Sequence, residues 1–247
     1  ELADQARKRF GVPQAFCDVD QMIAGAKPDV VHLTTPPQTH WSLACQLLAA
    51  GLHVYVEKPF TVNLAEADAV LQCAQAHGRL VCVGHDHLFD PIWQKLEELV
   101  REGHLGDIVH IDSIMGYNLE GPFGKLMMSD RNHWVHKMPG GLFHNNISHA
   151  VYKITQLMHD QSPRFWAITD NPKTGDLSTE LRVLIQGETT TATVLFSSRS
   201  RPVLKCLRVY GSKATVEIDL DGRLLHWYRG PGMPGALGKL HLPWQHL

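Results

Sequence analysis

Asp29-Val30-Val31-His32-Leu33-Thr34-Thr35-Pro36-Pro37-Gln38-Thr39-His40, followed by Gly51-Leu52-His53-Val54-Tyr55-Val56-Glu57-Lys58-Pro59, is the stretch on which the fold is decided. Each half opens with a short apolar run rich in β-branched residues and leaves it through a polar turn that carries proline. Val30, Val31 and Leu33 form the first strand and Thr34 to Thr39 the turn, and a helix carrying Leu43, Leu47 and Leu48 ends before Gly51. His53 to Val56 is the second strand, with Glu57-Lys58-Pro59 at its exit. Asn63 then caps a helix with Leu64, Ala67, Leu71 and Ala74 on one stripe, closed by Gly78. Leu80 to Val83 makes a third strand. Strands alternating with helices imply right-handed crossovers and a parallel sheet with both faces covered. Thr34-Thr35-Pro36-Pro37, Glu57-Lys58-Pro59 and Gly84-His85-Asp86-His87 then fall at the carboxyl ends of neighbouring strands, where open α/β sheets bind ligands.

Outward from this stretch the pattern changes. Leu2, Ala6 and Phe10 keep helical spacing up to Gly11, as in a sequence that enters partway along a helix. After His87 a helix carries Ile92, Leu96, Leu99 and Val100, and a strand follows around Ile108 to Ile114. Leu181 to Ile185, Thr191 to Phe196, Leu204 to Tyr210 and Ala214 to Ile218 are further strands, Asp221-Gly222 reads as a hairpin turn, and Gly230 to Pro243 reads as a loop. The chain thus divides into residues 1–87 and a strand-rich second domain, residues 88–247.

The 247 residues are 44% hydrophobic, which is globular composition, and a net charge of −2 supplies no field to gather phosphate backbones or anionic lipid. Nucleic acid and membrane are therefore not expected partners. No apolar run approaches the roughly 18 residues that span a bilayer, and no basic-then-apolar segment opens the chain, so the expected compartment is the cytoplasm. Five scattered cysteines without a C-x-x-C pair suit that compartment and read as packed thiols.

Lys58 precedes a proline, which restricts its backbone toward extended conformations at the mouth of a strand. Here the sequence resembles the glucose-fructose oxidoreductase and inositol dehydrogenase family. The Thr-x-Pro…His turn followed by Glu57-Lys58-Pro59 carries the likeness most specifically. Gly103-His104-Leu105-Gly106-Asp107-Ile108, Gly140-Gly141-Leu142-Phe143 and Val209-Tyr210-Gly211-Ser212-Lys213-Ala214 extend it from about Asp29 to about Ile218. The resemblance implies an α/β fold: a partial Rossmann-type parallel sheet, then an α+β domain with a large open, mainly antiparallel sheet. It implies NAD or NADP as cofactor, with Thr34, Thr35, Pro36, His40, Glu57, Lys58, Pro59 and His85 near it, and a homo-oligomer that pairs its open sheets. The Gly-x-Gly-x-x-Gly turn that seats a pyrophosphate is absent from these residues and by family order belongs upstream of Glu1; the family also usually adds a helix and strand beyond Leu247.

A second polar segment runs Gly140-Gly141-Leu142-Phe143-His144-Asn145-Asn146-Ile147-Ser148-His149. A helix from Phe143 onward makes Asn145 and His149 neighbours four residues apart on one face. Family members carry Asp at the first of these positions, where this chain has Asn145. The expected chemistry is hydride loss from a secondary alcohol, a sugar, cyclitol or related small molecule, while its hydroxyl proton passes to a base. His149 is the candidate base, Lys58 stabilises the developing alkoxide, and Asn145 orients substrate or base. A ligand-sensing protein without turnover is the alternative, motivated by Asn145 and the missing glycine turn. Sixteen histidines raise a metal hydrolase, through His85-x-His87, His133-x-x-His136 and His144…His149. None of these is a recognised ligand spacing, so no metal is expected.

Overall fold

The expected helix before Gly11 is α1 (Leu2–Phe10), and Gly11 follows it at φ +66°. A second helix, α2 (Val19–Ala26), was not legible beforehand; its N-cap Asp18 accepts from the Gln21 amide at 2.9 Å. Both belong to a computed structural model that describes residues 2–160, 162–170 and 177–229. The Gly230–Pro243 loop expected from sequence lies outside the described residues. By internal contacts the chain forms two units, Glu1–Gly84 and His85–Leu247.

In the first unit β1 (Val30–Leu33), β2 (His53–Val56) and β3 (Val81–Val83) form a three-stranded parallel sheet in that order, connected by α3 (His40–Ala49) and α4 (Leu64–Ala76). Leu33, Val54 and Val56 bury one face with Ala44, Leu47 and Leu48 of α3 and Val70 and Ala74 of α4. The opposite face is not covered as expected: His32 and Tyr55 stack there with ring centres 4.8 Å apart, and His32 and Cys82 are exposed. The expected stripe on α4 is also corrected. Leu64 and Leu71 point outward and Val70 with Ala74 points in, because the helix is rotated so that its smaller residues meet α3. All five cysteines are free thiols, but Cys17 and Cys82 are exposed and not packed.

In the second unit α5 (Pro91–Arg101) starts at Asp90, whose carboxylate accepts from the Ile92 amide at 3.1 Å, with Pro91 in the first turn where its missing N–H costs nothing. β4 (Ile108–Gly116), α6 (Pro122–Ser129), α7 (Gly141–Asn146) and α8 (Ser148–Leu157) follow. Six strands then complete the unit: β5 (Arg164–Thr169), β6 (Glu180–Gln186), β7 (Thr191–Ser197), β8 (Lys205–Gly211), β9 (Ala214–Asp219) and β10 (Leu224–Arg229). The sheet order is β10-β9-β8-β4-β7-β6-β5, antiparallel throughout except for the parallel pair β4–β7.

Strand alternation divides this sheet cleanly. Ile111, Met115, Val194, Phe196, Val209 and Val216 face a core shared with Trp93 and Leu96 of α5 and Ala150 and Ile154 of α8. The other face carries His110, Asp112, Thr193, Arg208 and Tyr210, where Asp112 accepts from Tyr210 at 2.8 Å. The expected Asp221-Gly222 turn joins β9 and β10, with Arg223 in the left-handed region at φ +52°. The Asp219 carboxylate accepts from the amides of Asp221 and Gly222, each at 3.0 Å, and holds that turn.

Phe196 is fully buried and Phe165 on edge strand β5 is 71% exposed. Phe196→Ala is expected to destabilise the second unit by about 3–5 kcal/mol. Phe165→Ala should stay within about 0.5 kcal/mol of the parent, both read from urea unfolding.

Candidate functional site

At the first unit's edge the parallel ladder carries past the strands. The Glu57 amide donates to Leu33 O at 2.9 Å and the Gly84 amide to Val56 O at 2.7 Å, so the three strand exits leave side by side. The turn after β1 is tied by its own hydroxyls: Thr39 donates to Pro36 O at 2.9 Å and lies 2.7 Å from the Thr35 hydroxyl. Because Thr39 spends its one proton on Pro36, Thr35 donates to Thr39. Thr34, Thr35 and Pro36 remain exposed, and Lys58 is half-buried with its amide 3.1 Å from the Glu57 carboxylate. An added Cβ at Gly84 would lie 3.2 Å from the Tyr55 ring, close enough that a neighbouring side chain would have to shift.

His40 does not take the place expected for it. It is buried, with Nε2 2.7 Å from Thr35 O and Nδ1 3.1 Å from Pro59 O and 3.2 Å from Phe60 O. Both ring nitrogens face backbone carbonyl oxygens, to which the ring donates through the nitrogen that carries its proton, so His40 lies buried between the first two strand exits.

The second cluster lies within the second unit, where a 3-10 turn (Asp86–Phe89) meets α8. His149, Tyr152 and Lys153 stand three and four residues apart on α8, a spacing that places them on one helix face, and all three are buried. His149 Nδ1 lies 3.1 Å from the Tyr152 hydroxyl and 3.4 Å from Asp86 Oδ1; Tyr152 donates to the same oxygen at 3.4 Å. His87 packs its ring against His149 with centres 4.8 Å apart, and its Nδ1 is 3.2 Å from the Lys153 amine. His85, expected near the cofactor, stacks on Tyr152 at 4.3 Å and so joins this cluster. Asn145 is buried on α7, and the expected single helix breaks at Ile147 into α7 and α8.

The electrostatics follow from this packing. The hydrogen bond to His149 holds Asp86 well below the usual carboxylate range, with the nearby imidazoles helping. Burial, then the Asp86 charge, pushes the Tyr152 phenol up, so it stays protonated. Burial and the Lys153 amine push His87 down to about 4, leaving it neutral near pH 7. Burial, opposed by the Asp86 charge and helped by that of Lys205, pulls Lys153 down to about 7.

Among the described residues, Asp86, His87 and His149 are the group of three whose ligand-capable atoms lie within 4.8 Å of one another. The expected clusters resolve otherwise: His136 Nε2 sits 2.9 Å from Met127 O, and His133 accepts from the Val135 amide. The Lys153 amine against His87 opposes a cation there. Tyr152 and Lys153 were not singled out from sequence, and Asp86 and His87 were named only within the Gly84-His85-Asp86-His87 strand exit, without a role of their own. The signal was present in the His149-x-x-Tyr152-Lys153 spacing and in the Gly84-His85-Asp86-His87 strand exit.

A parallel sheet with polar exits, followed by a mixed sheet covered on one face, is the two-part plan of oxidoreductases with a Rossmann-type first domain. Residues 1–85 match the profile described as "Oxidoreductase family, NAD-binding Rossmann fold" and residues 93–217 match the "GFO/IDH/MocA C-terminal domain". The chain belongs to the GFO/IDH/MocA oxidoreductase family.

Curated relatives include an uncharacterised oxidoreductase, YdgJ, of Escherichia coli, 39% identical over 85 residues (34% of this chain, 25% of the relative). A second is the 1-carboxy-3-chloro-3,4-dihydroxycyclohexa-1,5-diene dehydrogenase of Comamonas testosteroni, 36% identical over 110 residues (44% and 28%). A third is the myo-inositol 2-dehydrogenase of Thermotoga maritima, 28% identical over 102 residues (41% and 30%). The chain thus spans less than a third of each of these relatives. Among solved structures, the WlbA dehydrogenase of Bordetella pertussis, in complex with NADH and UDP-GlcNAcA, superposes with a TM-score of 0.79 at 18% identity, covering 98% of this chain and 70% of that one. An inositol dehydrogenase homologue from Azotobacter vinelandii, complexed with NADH and myo-inositol, gives 0.74 at 18% identity, covering 96% and 68%. These likenesses establish the fold. No helix among the described residues is long and apolar enough to cross a membrane.

Lys153 gives the site a stability signature. An unfolded lysine keeps its proton to about pH 10.4, whereas this one loses it near 7 in the fold. Between those values the unfolded state binds more protons, so stability rises with pH across that window. Urea unfolding from pH 7 to 10 should show this rise in the parent, and Lys153→Met should flatten it.

Proposed function

We propose that this chain is part of a NAD- or NADP-dependent oxidoreductase that moves a hydride between the nicotinamide and a hydroxyl-bearing carbon of a sugar, a cyclitol or a related small molecule. The observation that carries this reading is Lys58, held at the exit of the middle strand of a parallel sheet, in the Glu57-Lys58-Pro59 triplet. Two relatives, the myo-inositol 2-dehydrogenase of Thermotoga maritima and a UDP-N-acetylglucosamine 3-dehydrogenase of Acidithiobacillus ferrooxidans (36% identical over 98 residues), support a polyol or sugar as substrate class.

Thr34, Thr35, Pro36, Glu57, Lys58 and Pro59 would hold the cofactor edge on the first unit; the exposed turn and the side-chain-free exit at Gly84 suit close approach of a flat ring. When bound, the nicotinamide takes or returns the hydride. The Lys58 ammonium donates to the reacting oxygen and stabilises negative charge as it develops there, which requires the charged amine. His149 takes the hydroxyl proton near neutral pH. Asn145, an amide, orients by hydrogen bonding and takes no proton.

In the full protein, Lys58→Ala is expected to lower kcat by about 100- to 1,000-fold, the scale of losing one donor to a developing oxyanion. The circular dichroism and thermal transition should be unchanged. Undiminished oxidation of a polyol or sugar-nucleotide panel by this variant, followed by NADH absorbance, would remove the mechanism.

A second copy is proposed to pair over the open face of the large sheet, where the cross-strand neighbours Trp166 and Leu184 are both exposed. Light scattering should report a dimer or larger, reduced by Trp166→Glu; a monomeric parent at micromolar concentration contradicts this.

A further inference from the structure

The hydrogen bonds around His149 determine which of its nitrogens carries the proton. An ionised carboxylate only accepts, and a tyrosine hydroxyl has one proton to give. The neighbour that decides is Asp86 Oδ1, 3.4 Å from His149 Nδ1, which can only accept and so calls for a proton on Nδ1. The Tyr152 hydroxyl, 3.1 Å from Nδ1 and 3.4 Å from Asp86 Oδ1, fits that arrangement by donating to Asp86 and accepting from Nδ1. The neutral ring then carries its lone pair on Nε2.

We propose that Asp86 is the positioning carboxylate of this site: acting with Tyr152, it holds His149 in the Nδ1–H tautomer and so makes Nε2 the proton acceptor. This rests on His149 as the base in the function proposed above. The carboxylate comes from the turn after β3, whereas α7 carries no carboxylate, only the amides of Asn145 and Asn146. The motive for a non-catalytic reading, the absence of a carboxylate on that helix, is thereby weakened.

The other groups facing His149 reinforce the assignment. His87, tilted against it, is neutral near pH 7 and has its Nδ1 on the Lys153 amine. His85 is held low by burial and by His149, and it stacks on Tyr152 without touching Nδ1 by any hydrogen bond recorded among the described residues. Lys205 bears on His87 and Lys153 and pairs with Asp221 at 3.0 Å. Asp86 is thus the anion that meets the imidazole. Its side chain is 67% exposed, so water screens the pair and its effect is one of orientation more than of strength.

The test uses the full protein with 15N-labelled histidine, His149 assigned through His149→Gln, and long-range proton–nitrogen correlation at a pH where the ring is neutral. The parent should show a protonated Nδ1 and a bare Nε2. Asp86→Asn should give a mixed or reversed tautomer, and Asp86→Glu should return it toward the parent. In parallel turnover assays Asp86→Asn should lower kcat by about 10- to 100-fold, up to the lower end of the roughly 100- to 10,000-fold that general-base transfer supplies, because the base is misoriented and not removed. KM should stay within about twofold, and Glu should rescue. A parent His149 protonated on Nε2, or a tautomer indifferent to Asp86→Asn, overturns the proposal. The spectra need neither substrate nor nicotinamide. If the tautomer shifts as expected and no alcohol is oxidised by the parent, the oxidoreductase reading falls and the Asp86 assignment stands.

Discussion

Seating α8 on the central strand β4 is the contact from which the second unit's chemistry follows. Ala150, Ile154 and Leu157 bury one side of the helix, and Ser113 on β4 donates to Ala150 O at 3.2 Å. A helix fixed by its apolar side has no rotational freedom left, so the remaining directions of His149, Tyr152 and Lys153 are set. Their meeting with Asp86 and His87 follows once the turn after β3 packs against that helix. A buried amine is costly there, because desolvation disfavours its charge. The fold tolerates Lys153 where its Nζ has the His87 ring to hydrogen-bond and the Asp86 carboxylate nearby.

In the first unit the governing constraint is the direction of the strands. A parallel ladder sends every strand out at the same edge, and backbone hydrogen bonds at Glu57 and Gly84 extend the register one residue past the strands. Lys58 consequently leaves the sheet between two other polar exits. His40 adds a brace from below, bonding the turn after β1 to the loop after β2. The two devices differ in kind: one is a ladder any parallel sheet supplies, the other a single buried imidazole whose loss would loosen both loops.

The two units carry different types of polar group. The first offers a cation and hydroxyls on loops, the second a hydrogen-bonded imidazole, carboxylate and phenol on a helix and a turn. The two units match the two domains of the GFO/IDH/MocA family in turn, and because α7 supplies amides at Asn145 and Asn146, the Asp86 carboxylate beside His149 gains its interest. Family resemblance locates a helix and a histidine; which carboxylate serves that histidine is decided by packing within this chain.

The alternation of β1, α3, β2, α4 and β3, the parallel sheet and the exits at Thr34, Lys58 and Gly84 were legible from sequence, because apolar periodicity and turn residues are local signals. The strands of the second unit from β6 to β9 were legible for the same reason. β5 was not, since all its residues are exposed and its pairing with β6 is made at long range. The rotation of α4 that turns Leu64 and Leu71 outward was invisible as well, because both stripes have helical spacing and only the shape of α3 selects between them. The sequence by itself determined the order of the elements and named Lys58 and His149. Only the tertiary structure decided that His40 is a brace and that Asp86, Tyr152 and Lys153 surround His149, since these contacts join residues up to 66 positions apart, and no local pattern encodes which distant side chains a packed core brings within hydrogen-bond reach.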